Sequence, residues 1–202
     1  MRMSKIKQII LIDNFDSFSY NLVNQLNTAD FQVKVFRNKV TIDYLEKILK
    51  KSGDDIAFVL SPGPGRPSQA GNLLAIIQHF KGIYPIVGIC LGHQAIIESL
   101  GGTIGKAPHV VHGKSSQMQT SNHPLFAGLA TTETIGRYHS LMATSIPPQI
   151  QVLAQVDDIP MVIICEKEKL IGLQFHPESI LTLNGSKMLN NALAIFGSTE
   201  HA

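Results

Sequence analysis

YPIVGICLGHQ, residues 84–94, is the stretch of this sequence that most clearly predicts a fold. Its apolar run at 86–90 predicts a buried strand, and a helix is predicted to begin near Leu91. Glycines at 88 and 92 let the strand and the helix approach each other while Cys90, between them, is held in a strained turn. The side chain of Cys90 would then point out above a sheet, as in the strand–turn–helix elbows of α/β proteins.

The same alternation of strand and helix fills the first half of the chain. Further apolar runs lie at 9–12 and 56–60, and segments with helical spacing separate the runs, at 19–26, 42–49 and 73–80. Strands that are apolar on both faces belong in a parallel sheet with helices on each side. We therefore predict an α/β fold with an open, doubly wound, mostly parallel sheet flanked by helices. Thr41 is predicted to cap the second helix.

The second half of the chain has shorter, β-rich segments. Apolar runs at 161–165 and 170–175 predict antiparallel or mixed strands added to the same sheet. A final helix is predicted at about 185–196, with apolar residues on one face. Because no repeat, low-complexity tract or linker interrupts the sequence, we predict a single domain over residues 1–202.

Composition excludes several classes of function. A formal net charge of +2 is too small to predict binding to nucleic acid or to an anionic membrane surface. No apolar stretch approaches the roughly 20 residues needed to span a bilayer. The two cysteines, Cys90 and Cys165, form neither a disulfide framework nor a CxxC motif. We therefore expect a cytoplasmic protein with free thiols.

Cys90 is the candidate nucleophile. A helix that begins beside it would favour the thiolate, and the backbone N–H of Leu91 could receive a developing oxyanion. The alternative is that Cys90 is a small buried hydrophobic residue, which is the commonest role of a free cysteine. The flanking glycines and the strand-to-helix context favour the nucleophile, because a merely packed cysteine requires neither.

A base for this thiol is predicted in GLQFHPES, residues 172–179. In an extended chain residues i and i+2 project to the same side, so Glu178 could reach and orient the ring of His176. His93, three residues after Cys90, competes for the role, but its nearest carboxylate in sequence, Glu98, is poorly aligned with it on a helix. The alternative for His176 is a surface histidine beside a solvated glutamate. The histidines show no metal-ligand spacing, so we predict no metal.

A third candidate site is SPGPGRP, residues 61–67, which follows the predicted strand at 56–60. The loop matches neither phosphate-binding glycine motif, and each proline removes a backbone donor. We predict a rigid substrate-positioning loop that offers a second oxyanion donor, although an ordinary proline-rich turn is the alternative. Its position favours a site, because ligands of open α/β sheets bind beyond the carboxyl ends of the strands.

Four segments together resemble the class I (triad) glutamine amidotransferase family: DNFDSF at 13–18, SPGPG at 61–65, GICLGHQ at 88–94 and QFHPES at 174–179. The resemblance covers essentially the whole chain. It implies that Cys90 is the nucleophile, His176 the base and acid, and Glu178 the orienting carboxylate, with no cofactor. The glutamine-binding residues that it implies are Gly63, Pro64, Gly65, Leu91, Gln94, Ser140 and Leu141.

Within this family, VHGK at 111–114 and RYHSL at 137–141 are similar to the glutaminase subunits that serve anthranilate and aminodeoxychorismate synthases. The segments at 62–71 and 95–98 are more like the anthranilate branch. The sequence ends soon after the last predicted helix, so we expect the chorismate-using chemistry in a separate large subunit, component I of either synthase, or of both if the chain is shared. Candidate docking contacts are His112, Lys114, Arg137 and Tyr138, although Lys114 and Arg137 could be ordinary solvated charges.

Two other functions compete with glutamine hydrolysis for a protein of this kind. A pseudoenzyme that only scaffolds a partner would need no activated thiol, so the intact Cys90, His176 and Glu178 argue against it. A γ-glutamyl hydrolase or cysteine peptidase could share the elbow. Release of ammonia from free glutamine, without cleavage of γ-glutamyl peptides, would separate the two.

Overall fold

The computed structural model describes residues 6–53, 55–108 and 111–197. The strands are β1 (Gln8–Asp13), β2 (Gln32–Arg37), β3 (Ile56–Leu60), β4 (Ile86–Ile89), β5 (Thr103–Lys106), β6 (Lys114–Gln119), β7 (Thr132–Arg137), β8 (Leu141–Ser145), β9 (Gln151–Val156), β10 (Ile159–Cys165) and β11 (Leu170–Leu173). The α-helices are α1 (Ser19–Thr28), α2 (Ile42–Leu49), α3 (Leu73–Phe80), α4 (Leu91–Ser99) and α5 (Gly185–Ile195). Within these ranges no helix is long and apolar enough to cross a membrane.

A seven-stranded sheet in the order β2-β1-β3-β4-β11-β10-β9 forms the centre of the fold. The strands from β2 to β11 in this order are parallel, whereas β10 is antiparallel to both of its neighbours. The predicted fold class, a mostly parallel sheet with added antiparallel strands, is confirmed. One detail differs, because β5 pairs with β8 and β6 with β7 in separate two-stranded sheets rather than joining the central one.

The predicted segments with the strongest patterns match the structure closely. Helices α2 and α3 and strand β3 have the predicted bounds, and the side chain of Thr41 accepts the Tyr44 N–H at 3.3 Å as the N-cap of α2. Strand β2 was not among the predicted strands. It lies at the edge of the sheet and alternates polar with apolar residues, so it lacks the continuous apolar run of a central strand.

Side chains that alternate along β1 divide the core into two layers. Ile9 and Leu11 pack on one face of the sheet with residues of α1 and α5, whereas Ile10 and Ile12 pack on the other face with residues of α2, α3 and α4. Both faces of the sheet are therefore covered by helices. The carboxyl ends of the parallel strands are not covered by these helices, and the loops that follow them can form a site.

Two glycines permit the close contact between α4 and the sheet. A Cβ on Gly88 would lie 2.4 Å from the carbonyl carbon and oxygen of Gly92 and 2.8 Å from the backbone nitrogen of His93. A Cβ on Gly92 would lie 2.6 Å from the backbone oxygen of Leu60 in β3. Because these neighbours are backbone atoms, a side chain at either position would force the helix away from the strands.

We expect Gly88→Ala to destabilise the fold by about 3 kcal/mol or more, since overpacking against backbone atoms leaves no side chain that could rotate away. Gly53→Ala is the matched control, because a Cβ there meets nothing within 4 Å and the cost comes from its φ of +61° alone, about 1–2 kcal/mol. Urea unfolding of both variants provides the measurement. Equal losses would show that the contact between Gly88 and Gly92 is not critical.

Candidate active site

Cys90 lies in a tight turn between β4 and α4. Its backbone has φ 50° and ψ −97°, outside the common regions for a residue with a side chain. The turn is anchored on both sides, because the Cys90 N–H donates to the Leu173 carbonyl at 2.7 Å and the Cys90 carbonyl accepts from the Gln94 N–H at 3.0 Å. The strained elbow predicted from the glycine spacing is confirmed at this position.

His176 and Glu178 form a buried pair beyond the end of β11. The Nδ1 atom of His176 lies 2.7 Å from Oε1 of Glu178, and their side chains are only 3% and 0% exposed. The predicted contact is present, but the predicted backbone is not. Residues 177 and 178 form a turn, in which the Ser179 N–H donates to the His176 carbonyl at 3.2 Å. The turn, and not an extended chain, brings the two side chains together.

The surroundings of His176 stabilise its charged form. Burial by itself lowers the pKa of His176, but hydrogen bonds and opposite charges from Cys90 and Glu178 outweigh burial and raise the pKa to about 10. A histidine that hydrogen bonds to both a cysteine and a carboxylate is the arrangement that an activated thiol requires. At neutral pH the ring therefore carries a proton that can be given to a leaving group.

Two aromatic rings also pack against the imidazole of His176. The centroid of Phe18 lies 5.2 Å and that of Tyr138 4.9 Å from the His176 ring, and the two aromatic rings lie 5.1 Å apart. The Tyr138 hydroxyl also lies 2.9 Å from the Ser179 hydroxyl. Sequence reasoning gave neither ring this role, because contacts between the loops after β1, β7 and β11 have no periodic signal.

His93 in α4 is fully buried, as His176 nearly is, but it differs from His176 in its hydrogen bonds and in its pKa. Within the described part of the chain neither ring nitrogen makes a well-formed hydrogen bond, and Nδ1 lies against Gly172 of β11. Burial lowers the pKa of His93 to about 3, although the Gly172 backbone acts in the opposite direction. His93 is therefore neutral and without a carboxylate partner, which favours His176 over His93 as the base.

The expected glutamine-binding residues meet in two groups. A Cβ on Gly63 would lie 2.7 Å from Cδ2 of Leu91, so the glycine loop lies directly against the start of α4. The Gln94 side chain donates to the Leu141 carbonyl at 3.0 Å, and Ser140 is exposed beside it. Pro64 and Gly65 are exposed at the tip of the loop.

The base of the glycine loop is fixed by a buried polar contact that sequence reasoning missed. Asn14 donates its backbone N–H to the Ser61 hydroxyl at 2.8 Å and its side-chain amide to the Ser61 carbonyl at 2.9 Å. Asn38 in turn donates to the side-chain oxygen of Asn14 at 3.1 Å. These bonds join the loops that follow β1, β2 and β3.

The family is identified by comparison with known proteins. Residues 10–196 match the model of the glutamine amidotransferase class-I family. The chain belongs to this family. Among its relatives are proteins named anthranilate synthase component 2 from Vibrio parahaemolyticus and Helicobacter pylori, each 44% identical over 92% of this chain and over 94% and 96% of their own lengths. A pyocyanine-specific anthranilate synthase component 2 of Pseudomonas aeruginosa is 42% identical over 95% of both chains.

Solved structures with lower identity share the amidotransferase fold. A protein from Thermoplasma acidophilum, described as a candidate GMP synthase subunit, superposes with a TM-score of 0.80 at 22% identity, over 93% of this chain and 92% of its own. A glutamine amidotransferase from Thermotoga maritima has a TM-score of 0.74 at 12% identity, over 98% and 100% of the two chains. Identity this low is informative about the fold alone.

The predicted docking contacts of this amidotransferase differ in exposure. His112 and Lys114 are exposed, and Tyr138 is half-buried against His176. Arg137 was expected at the surface, but its side chain is only 4% exposed. Its guanidinium instead hydrogen bonds to His139 at 3.2 Å and to Ser116 and Asp157 at 3.3 Å. The prediction that Arg137 is an exposed docking contact is wrong, because these hydrogen bonds hold its charged side chain in the interior.

In the described ranges no group of three His, Cys, Asp or Glu side chains is placed to hold a metal ion. His93 and His139, which lie in that part of the chain, are buried and have a lowered pKa.

We expect His93→Leu to keep most of the glutaminase activity and His176→Ala to lose it, because only His176 contacts both Cys90 and Glu178. His93→Leu should also reduce the loss of stability in acid. With a native pKa of about 3 against 6.5 in the unfolded chain, His93 removes up to about 1.4 kcal/mol of stability per pH unit as the pH falls through that interval.

The measurements are ammonia release from glutamine at neutral pH and thermal unfolding between pH 7 and pH 4. His139, whose pKa is also lowered, should leave part of the acid sensitivity in the His93→Leu variant. Equal activity losses in the two folded variants, or an unchanged acid slope in His93→Leu, would contradict the assignment.

Proposed function

We propose that this amidotransferase is the glutaminase subunit of an anthranilate synthase. In this role it hydrolyses glutamine to glutamate and delivers the ammonia to a chorismate-using large subunit in tryptophan biosynthesis. The observation that carries the proposal is the buried contact of Glu178 with His176, which hydrogen bonds to Cys90 at the carboxyl ends of the strands. The relatives named anthranilate synthase component 2, which match over nearly their whole lengths, favour this acceptor branch over the aminodeoxychorismate branch.

The first half of the proposed reaction forms a thioester. The Cys90 thiolate attacks the amide carbon of the glutamine side chain, and the negative charge moves to the carbonyl oxygen. We propose that the backbone N–H of Leu91 and the loop at Gly63–Gly65 receive that oxyanion. When the tetrahedral intermediate collapses, the carbon–nitrogen bond breaks and His176 gives its proton to the departing ammonia.

The second half of the reaction restores the Cys90 thiolate and the protonated His176. His176, now neutral, takes a proton from water, which attacks the thioester carbon, and the carbon–sulfur bond then breaks to release glutamate. Glu178 holds the His176 ring by Nδ1 in both halves, so that Nε2 is the nitrogen that exchanges protons. Every proton transfer uses groups of this chain, so the proposed reaction needs no metal or cofactor. It does need a free thiol, which a reducing compartment such as the cytoplasm maintains.

Glutamine is proposed to lie between the glycine loop and the segment that follows β7. Gln94 has a partner in the Leu141 carbonyl, and Ser140 is exposed beside it. Gly63 needs to be a glycine, since a Cβ there would lie 2.6 Å from Cβ of Asn14. The bonds between Asn14 and Ser61 keep this loop in place before the substrate arrives.

The large subunit is proposed to dock around the active-site mouth. His112 and Lys114 remain candidate contacts, and Tyr138 connects the same region to the His176 ring. The loop that carries His176 and Glu178 adds large apolar side chains on the surface, Ile180 with 92% and Leu183 with 74% exposure. Because contiguous exposed apolar surface can mark an interaction site, we propose that these two side chains belong to the docking surface. An acceptor protein placed there would receive ammonia where it is formed.

We expect Cys90→Ser to abolish glutamine-dependent anthranilate synthesis while synthesis from ammonium salts is retained, because the acceptor chemistry belongs to the large subunit. The loss should be several orders of magnitude, since nucleophile and base act as one unit. The assay mixes the chain with purified anthranilate synthase or aminodeoxychorismate synthase large subunits, glutamine and chorismate. Substantial glutamine-dependent turnover in the variant would refute the assignment of Cys90 as the nucleophile. If the wild-type chain yielded aminodeoxychorismate as the only product, the anthranilate branch would be excluded.

Glutamine hydrolysis by the isolated chain is expected to be slow and to rise when the large subunit docks. Ile180→Glu should weaken that activation without changing the basal rate, because burying a carboxylate in an interface is unfavourable. Ile83→Glu is the matched control, since Ile83 is 59% exposed but precedes the amino end of β4, whereas Cys90 follows its carboxyl end. Steady-state ammonia release with and without the large subunit measures both effects. A rate that does not change on complex formation would exclude activation by the partner.

A further inference from the structure

A chain of hydrogen bonds passes behind Cys90 and ends on its sulfur. Gln174, which is fully buried after β11, lies between Cys90 and Gln94. Its Nε2 is 3.7 Å from the Cys90 sulfur, within hydrogen-bonding distance for a sulfur acceptor, and its Oε1 accepts from Nε2 of Gln94 at 3.1 Å. Gln174 is neither a member of the triad nor one of the residues proposed to contact glutamine.

The Leu141 carbonyl fixes the direction of this chain. A carbonyl can only accept, so the Gln94 atom 3.0 Å from it must be the amide nitrogen. The second N–H of that nitrogen then meets Gln174, which must present its oxygen to Gln94. The amide of Gln174 consequently turns its nitrogen toward the sulfur. Reversing it would place two acceptors or two donors face to face.

His139 and Arg137 continue the chain on the other side of Leu141. The Nδ1 atom of His139 lies 3.1 Å from the Leu141 carbonyl and must carry a hydrogen, so Nε2 is free to accept from Nε of Arg137 at 3.2 Å. Burial and the nearby Arg137 lower the pKa of His139 to about 4, which keeps the ring neutral and able to donate and accept at once. Asp157 holds the far side of the Arg137 guanidinium at 3.3 Å.

We propose that Gln174 is a positioning residue that donates a hydrogen bond to the Cys90 sulfur while it fixes the carboxamide of Gln94. One buried side chain thereby sets the orientation of the nucleophile and of a glutamine-binding group together. The inference rests on the proposed function for the role of Gln94, whereas the contact with Cys90 is independent of it.

An N–H donor stabilises negative charge on sulfur more than it stabilises a neutral thiol. The titratable groups around Cys90 are His176, backed by Glu178 in the triad loop, His93 on α4, and His139 on the segment after β7. Gln174→Met keeps the length of the side chain, adds no charge and changes none of these groups. An altered reactivity of Cys90 in this variant would therefore come from the lost donor.

The test measures alkylation of Cys90 by iodoacetamide between pH 5 and pH 10 in the full chain. A Cys90→Ser blank removes any signal from the buried Cys165. In Gln174→Met we expect the profile to move to higher pH and the rate at pH 7 to fall about tenfold, which is the effect of losing one hydrogen bond to a charged group. The KM for glutamine should also rise, because Gln94 loses its partner.

Two further variants make the outcome decisive. Asn191→Leu is the matched control, since it removes a half-buried amide that bonds to the carbonyls of Leu125 and Ala127, far from the sulfur, and should leave the profile unchanged. Gln174→Glu has the shape of glutamine but places an acceptor against the sulfur, so it should slow alkylation at pH 7 at least as much as methionine does.

A wild-type alkylation profile in whichever Gln174 variant folds would overturn the proposal. A shifted profile accompanied by a wild-type KM would overturn the part that concerns Gln94. The alkylation assay needs no glutamine turnover, so a chain with no glutaminase activity would refute the proposed function and leave the contact between Gln174 and Cys90 separately decided.

Discussion

The positive φ of Cys90 is the constraint on which the rest of the site depends. A residue with a side chain adopts such a conformation only where its neighbours hold it there, at a cost of order 1–3 kcal/mol. Here the neighbours are the Leu173 carbonyl, the first turn of α4, and the two glycines that let α4 contact β4 and β3. Because β4 lies beside β11, the same contacts that hold the elbow also bring it next to the strand that leads to His176.

Burial by itself lowers the pKa of all three histidines near this elbow, yet their final charge states differ. Desolvation keeps His93 and His139 neutral. His176 is buried as well, but Glu178 and Cys90 offset the desolvation, and the charged ring is favoured. Two neutral rings and one cationic ring therefore lie within one buried region. Contact with Cys90 and Glu178 together decides which histidine can exchange protons with a substrate.

Much of the fold could be predicted from the sequence because its strongest signals are local. Continuous apolar runs mark β1, β3 and β4, helical spacing marks α2 and α3, and Thr41 marks the start of α2. Strand β2 and the two small sheets were harder, because edge strands bury little surface and their polar alternation resembles a loop. The elbow at Cys90 and the pairing of His176 with Glu178 were predictable because their residues are close in sequence. The network of Arg137, His139, Gln94 and Gln174 was not, since its members are distant in sequence and each alone looks like a polar surface residue.

The contact between His176 and Glu178 was predicted correctly, but the extended backbone predicted for it was wrong. This difference shows what sequence spacing can establish. An offset of two residues between His176 and Glu178 is compatible with an extended strand and with a turn, and both bring the side chains near each other. The turn has a further consequence that a strand would not have. It directs the chain back toward α5, so that the Thr182 hydroxyl donates to the His176 carbonyl at 2.6 Å and accepts from the Gly136 N–H at 2.9 Å. The backbone of the base is thereby tied to β7, the strand that leads into Tyr138 and His139. Displacement of the segment after β7 would therefore change the position of His176 through both the backbone and the Tyr138 ring.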